Sequence, residues 1–156
     1  LLIGSIGPFG HMPASGTVTV AAVGIPLAWL MRVHLAMSLG MYLGVVIAFS
    51  LLSVWIHDAG DRALGEKDSR KIVWDELAGF FIAVAIVPWT WQMVTIAFFA
   101  ERAIDILKVP PANIIEDNVA GGVGVVGDDI VAGVYTLLLL WALEHFEPLR
   151  GVLGLG

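Results

Sequence analysis

An all-α, membrane-embedded helical bundle is the fold class this sequence predicts, and three observations predict it. Of the 156 residues 58% are hydrophobic and only 14% are charged, with a mean hydropathy of +0.89. Soluble domains carry about 25% charged residues, so this chain has too little polar surface for water to cover. Its apolar stretches are long: no charged side chain occurs in 1–31, 33–56 or 77–100. The charges that remain are gathered into short blocks between these stretches. Length allows one domain, residues 1–156, of about five helices. The absence of cysteine removes disulfides, thiolate zinc sites and cysteine nucleophiles. A net charge of −6 built from clustered carboxylates does not suit nucleic acid. The apolar beginning lacks a basic leader, so no cleavable signal is expected, and a few residues before Leu1 are expected to be missing.

In chain order, 19–31 contains Gly24 and Pro26 and reads as a helix reaching part or most of the way across a bilayer. The run 35–56 has the roughly 20 apolar residues that a full span needs. The run 77–100 is interrupted by "VPWTWQ", in which Pro88 removes a helical hydrogen bond and tryptophans favour the membrane interface. A helical hairpin is therefore expected, with arms 72–87 and 91–107 and a turn at 88–90, both ends returning to one face. A final helix over 129–145 would take Asp128 or Asp129 as its N-cap.

This topology puts 1–17, 57–76 and 101–129 on one side. That side then holds six of the eight basic residues (Arg62, Lys67, Arg70, Lys71, Arg102, Lys108) and twelve of the fourteen acidic ones. Basic loops stay cytoplasmic, so this is expected to be the cytoplasmic face. Solvated loops would also be charged, but acids at the ends of apolar helices are costly without a partner.

Three acidic groups converge there. Asp68 and Asp75 are seven apart, with Glu76 adjoining; Glu101, Asp105 and Lys108 fall at i, i+4 and i+7, with Arg102 between; Asp128 and Asp129 follow "GGVGVVG". That glycine stretch has the spacing of a dinucleotide fingerprint, yet no strand precedes it and two aspartates occupy the place of the pyrophosphate. Clustered carboxylates repel one another unless a cation binds, and oxygen ligands without cysteine select magnesium or calcium. Arg102 and Lys108 would grip phosphate oxygens. Piece by piece, helix caps and surface ion pairs also account for these residues. His57, beside Asp58, marks a helix end and is a weak candidate for acid–base assistance.

The blocks "KDSRKIVWDELAG" (67–79) and "GGVGVVGDDIVAG" (121–133), joined by Arg102, Asp105 and Lys108 and by "EDNV" (116–119), resemble the phosphatidylglycerophosphatase A family over nearly the whole chain. Two stretches depart from the family pattern: Ser15-Gly16-Thr17-Val18-Thr19 near the start, and Lys108-Val109-Pro110-Pro111. The resemblance implies a multi-pass enzyme of the bacterial inner membrane that removes the terminal phosphate of phosphatidylglycerophosphate, with magnesium as cofactor and the site on the cytoplasmic face. It implies Asp75, Glu76, Asp128 and Asp129 at the metal, Asp68 close by, Lys108, Arg102 and Thr17 at the phosphate, and Asp105 orienting Arg102. The 121–127 amides would complete the phosphate cradle, and the glycines would provide a tight turn ahead of the two aspartates. Another lipid phosphate as substrate, or a small carboxylate-bearing ion-transporter subunit, is the alternative. A transporter would bury its charges at mid-membrane, whereas here they stand at helix ends.

Overall fold

The computed structural model describes residues 4–65, 69 and 71–146; Asp68, the first acid of the sequence reading, lies outside them. Its architecture is all-helical, with six helices among the described residues: α1 (Ser15–His34), α2 (Leu39–Leu64), α3 (Trp74–Ala83), α4 (Trp91–Leu107), α5 (Ala112–Asn118) and α6 (Gly122–His145). Three of them, α1, α2 and α6, are long and apolar enough to cross a membrane.

The spans are longer than the sequence reading made them. α1 passes through Pro26 unbroken because a π-helical turn, Val20–Gly24, precedes it and accommodates the missing N–H. At 20 residues and 1.5 Å each it is about 30 Å long, the thickness of a hydrocarbon core. α2 begins at Leu39 rather than 35, since Ala36 takes positive φ and Ser38 caps the helix by accepting from Met41 N–H at 3.3 Å. It also runs on to Leu64, past Asp58 and Asp61, and closes with Gly65 at φ 69°. Acids on the outer turns of a helix stop the apolar stretch without stopping the helix.

The broken hairpin is present, with a shorter first arm than 72–87. α3 has 10 residues, about 15 Å, and 84–90 form a non-helical turn before Thr90 caps α4 at Met93 N–H. Buried carbonyls at such a tip need donors. Arg32 at the far end of α1 supplies two, to Ala85 O (2.5 Å) and Val87 O (3.1 Å), and the Tyr42 hydroxyl supplies a third to Phe81 O (2.8 Å).

Residues 122–127 are helical and not a loop, which corrects the N-cap expected at Asp128 or Asp129. Both lie within the second turn of α6. The helix starts after Gly121 at φ 71°, and the first N–H, of Gly122, is capped from α2 by Asp58 Oδ1 at 2.6 Å. Close approach of helices is what the glycines here permit: a Cβ on Gly124 would collide with Val119 O, and one on Gly133 with Gly79 O. α6 thus seats on α3 by backbone contact at Gly79 and Gly133, and it also packs on α2, α4 and α5. The core below is Tyr42, Leu77, Phe80, Phe81, Met93 and Leu140.

Candidate active site

Four stretches open onto one cavity of about 620 Å³: the segment leading into α1, the start of α3, the end of α4 and the second turn of α6. Their order follows from the topology, because α2 returns the chain to the side where α1 began and the short hairpin returns it once more.

α4 contributes the central cation. Arg102 is buried and makes a two-pronged pair with Glu101, both contacts at 2.7 Å. It also reaches Asp105 at 3.3 Å, one turn on, and Asp129 of α6 at 3.2 Å. The guanidinium therefore binds three carboxylates and ties α4 to α6. Glu101 itself is fully buried and stands where a Cβ on Gly79 would be 2.8 Å from its Oε1, so the smallness of Gly79 makes room for it.

Lys108 follows α4 as its C-cap in the left-handed region, φ 46°, which turns its side chain back toward α6. Its Nζ donates to Asp128 Oδ2 at 2.6 Å and pairs with Glu116 Oε2 at 2.8 Å. Partial burial acts to lower its pKa, but its hydrogen bonds to the Asp128 and Glu116 carboxylates outweigh this and hold it above the ordinary lysine range.

α3 presents Asp75 and Glu76 in its first turn, where the helix dipole favours negative charge. Asp75 is buried with Oδ1 3.2 Å from His57 Nε2. Glu76 Oε2 is buried without a hydrogen-bond partner, and burial, followed by the neighbouring Asp75 charge, pushes its carboxyl well above the usual range. Gly16 lies directly against Glu76, so that any Cβ there would overlap the carboxylate. Ser15, Gly16 and Thr17, the first turn of α1, line the cavity, and the N-cap position is Ala14, which has no side-chain acceptor.

The structure accordingly brings Thr17, Asp75, Glu76, Arg102, Asp105, Lys108, Asp128 and Asp129 around one space. Of the 121–127 amides expected at the phosphate, those of Gly122, Gly124 and Val125 are engaged at the start of α6, and Val125 is the residue of this stretch that lines the cavity. Sequence reasoning missed Glu101 as the principal partner of Arg102, since neighbours in a helix normally point apart. It also missed Lys71 and His11 in the cavity wall. His57 stands seven residues before the end of α2, fully buried, and does not mark a terminus.

Five carboxylates (Asp75, Glu76, Asp105, Asp128, Asp129) and three cations (Lys71, Arg102, Lys108) line the cavity, an excess of negative charge. Among the described residues no three His, Asp or Glu side chains are gathered into a group that would hold a metal ion; Arg102 and Lys108 stand between them instead. The donor chemistry nevertheless fits a hard divalent cation, being all carboxylate oxygen with one buried oxygen, Glu76 Oε2, left unpartnered.

No solved structure matches this chain. Three curated relatives do. Phosphatidylglycerophosphatase A of Haemophilus influenzae is 32% identical over 97 residues, covering 62% of this chain and 60% of that protein. The Escherichia coli protein of the same name is 35% identical over 115 residues, 73% of this chain and 66% of its own length. A Bacteroides thetaiotaomicron protein carrying the provisional name phosphatidylinositol-3-phosphatase is 36% identical over 100 residues, 62% of this chain and 61% of its own. The matched part thus spans a little under two thirds of each relative. The sequence model of one family matches residues 2–144, nearly the whole chain, and the protein belongs to that family, phosphatidylglycerophosphatase A.

Proposed function

We propose that the protein is a lipid phosphomonoesterase of the bacterial inner membrane that hydrolyses phosphatidylglycerophosphate at the cytoplasmic face. Water adds to the terminal phosphorus, the bond to the glycerol oxygen breaks, and phosphatidylglycerol and inorganic phosphate are released. The observation that carries this reading is the cavity itself, a charged pocket at the ends of the apolar helices α1 and α6, lined by carboxylates and cations from three separate stretches and by the first turn of α1. Family membership supports the same activity.

The chain's own residues divide the work. Lys108, on the cavity wall, would hold a non-bridging phosphate oxygen, and the first turn of α1 with the Thr17 hydroxyl would face another. Arg102 is committed to carboxylates, so its part is to keep Asp105 and Asp129 at the rim while its charge offsets theirs. A phosphate dianion entering a wall with more acids than bases needs further positive charge. Magnesium held by Asp75, Glu76, Asp128 and Asp129, with Asp68 near, would supply that charge and would favour ionisation of a water.

Purified protein is expected to release inorganic phosphate from phosphatidylglycerophosphate with magnesium and to stop in EDTA. Asp75→Asn and Asp129→Asn should abolish turnover while detergent melting stays close to wild type. Full activity in EDTA would exclude the metal, and no phosphate release under any divalent ion would exclude the reaction. Because one relative is named for a phosphoinositide, phosphatidylinositol 3-phosphate belongs in the same assay; faster turnover on it would reassign the substrate.

A further inference from the structure

Beside the charged cavity lies a second, apolar one of about 200 Å³, and the two have a common wall. Trp55, Ile56, Ala59 and Ala63 line it from the last turns of α2, and Lys71 and Ile72 line both cavities. Gly60 lets α2 come against Ile72, since a Cβ there would strike the Ile72 side chain, so the seam between the cavities is a packed edge. Trp55 is exposed at the outer side of this groove, as expected of a tryptophan at a membrane interface.

Lys71 differs from the other cations of the charged cavity. Arg102 and Lys108 are occupied by three and two carboxylates respectively. Lys71 is exposed and, among the described residues, forms no ion pair. An exposed cation on the line between an apolar groove and an acidic cavity suits an amphiphile whose own charge sits between its tails and its reacting end. The substrate proposed above has that form: acyl chains, then a singly charged phosphodiester, then glycerol and the terminal phosphomonoester.

Resting on that reading of the activity, we propose that Lys71 binds the internal phosphodiester of the lipid substrate, with the ester end of its acyl chains in the groove beside Ile72 and the terminal phosphate among the carboxylates. Lys71 is then a specificity residue. It separates a lipid with two phosphates from one whose only phosphate is the group to be removed, and it takes no part in the bond that breaks.

The test compares wild type, Lys71→Ala and Lys71→Arg in detergent, reading KM and kcat for phosphatidylglycerophosphate and the inhibition constant of inorganic phosphate, which occupies the acidic cavity alone. A charge-assisted contact contributes about 1.5–3 kcal/mol, so KM is expected to rise about tenfold or more in Lys71→Ala. The value of kcat and the inhibition constant of phosphate should stay within about twofold, and Lys71→Arg should restore most of the KM. Weakened phosphate inhibition in parallel with KM would place Lys71 on the terminal phosphate and overturn the assignment, as would an unchanged KM. Wild type inactive on this lipid would overturn the proposed reaction and the assignment together, whereas an active wild type matched by Lys71→Ala would overturn the assignment alone.

Discussion

Arg102 and Lys108 carry like charge less than two helical turns apart, yet their surroundings give them different duties. Arg102 is enclosed and saturated by Glu101, Asp105 and Asp129; Lys108 is partly exposed at the cavity with Asp128 and Glu116 on one side of it. Lys108→Ala is therefore expected to lower kcat on the order of 10²-fold, the usual loss when a group that stabilises developing charge is removed. A rise in KM alone, with kcat intact, would make it a ground-state contact. At this scale the sequence was informative about residue types and poor about partners. Of the nine site residues named from it, the eight that are described line one cavity, because the spacing of charge at helix ends reflects where charge can exist in an apolar chain; Asp68 lies outside the described residues. Glu101 beside Arg102 was not legible because adjacent residues of a helix normally point apart, and His57 beneath Asp75 was not because a partner on another helix leaves no spacing to read.

Between elements, the decisive contact is the crossing of α3 and α6 at Gly79 and Gly133. Gly133→Ala would drive a methyl into Gly79 O, and the neighbouring Asp129 O, 2.7 Å from a Cβ on Gly79, belongs to the same crossing. Overpacking of this kind costs about 1–3 kcal/mol, so a lower detergent melting temperature and a large loss of activity are expected together. Gly44→Ala is the control: no atom lies within 4 Å of its Cβ, and it should be neutral or gain roughly 0.5–1 kcal/mol of helix stability. Equal melting of the two variants would remove the crossing from the account. The glycines were visible in the sequence but their purpose was misread as a turn. Glycine for close packing and glycine for positive φ look the same in one dimension, and of the stretch 121–127 Gly121 alone has positive φ. The proline-broken hairpin was legible because Pro88 leaves an explicit break, although the actual turn starts four residues earlier.

For the molecule as a whole, the cavity requires that the start of α1, the end of α2, both ends of the hairpin and the start of α6 share one side of the membrane. The chain has no cysteine, so single cysteines report on this directly. Exposed positions 62 and 117 should label from the cytoplasmic side of sealed vesicles, and exposed position 38, between α1 and α2, from the other. Labelling of 62 and 117 from opposite sides would break the site apart. The side chains that hold the hairpin tip, Arg32 and Tyr42, have a consequence for biogenesis. A segment of ten helical residues is too short to partition across the bilayer unaided, and the carbonyls of Phe81, Ala85 and Val87 at its tip take side-chain donors from α1 and α2. The first two spans must consequently be in place before the hairpin can enter, and α6, which seats on Gly79, must follow it. The nascent chain is thus threaded in the same order in which it is translated, and each segment arrives to find its docking surface already built.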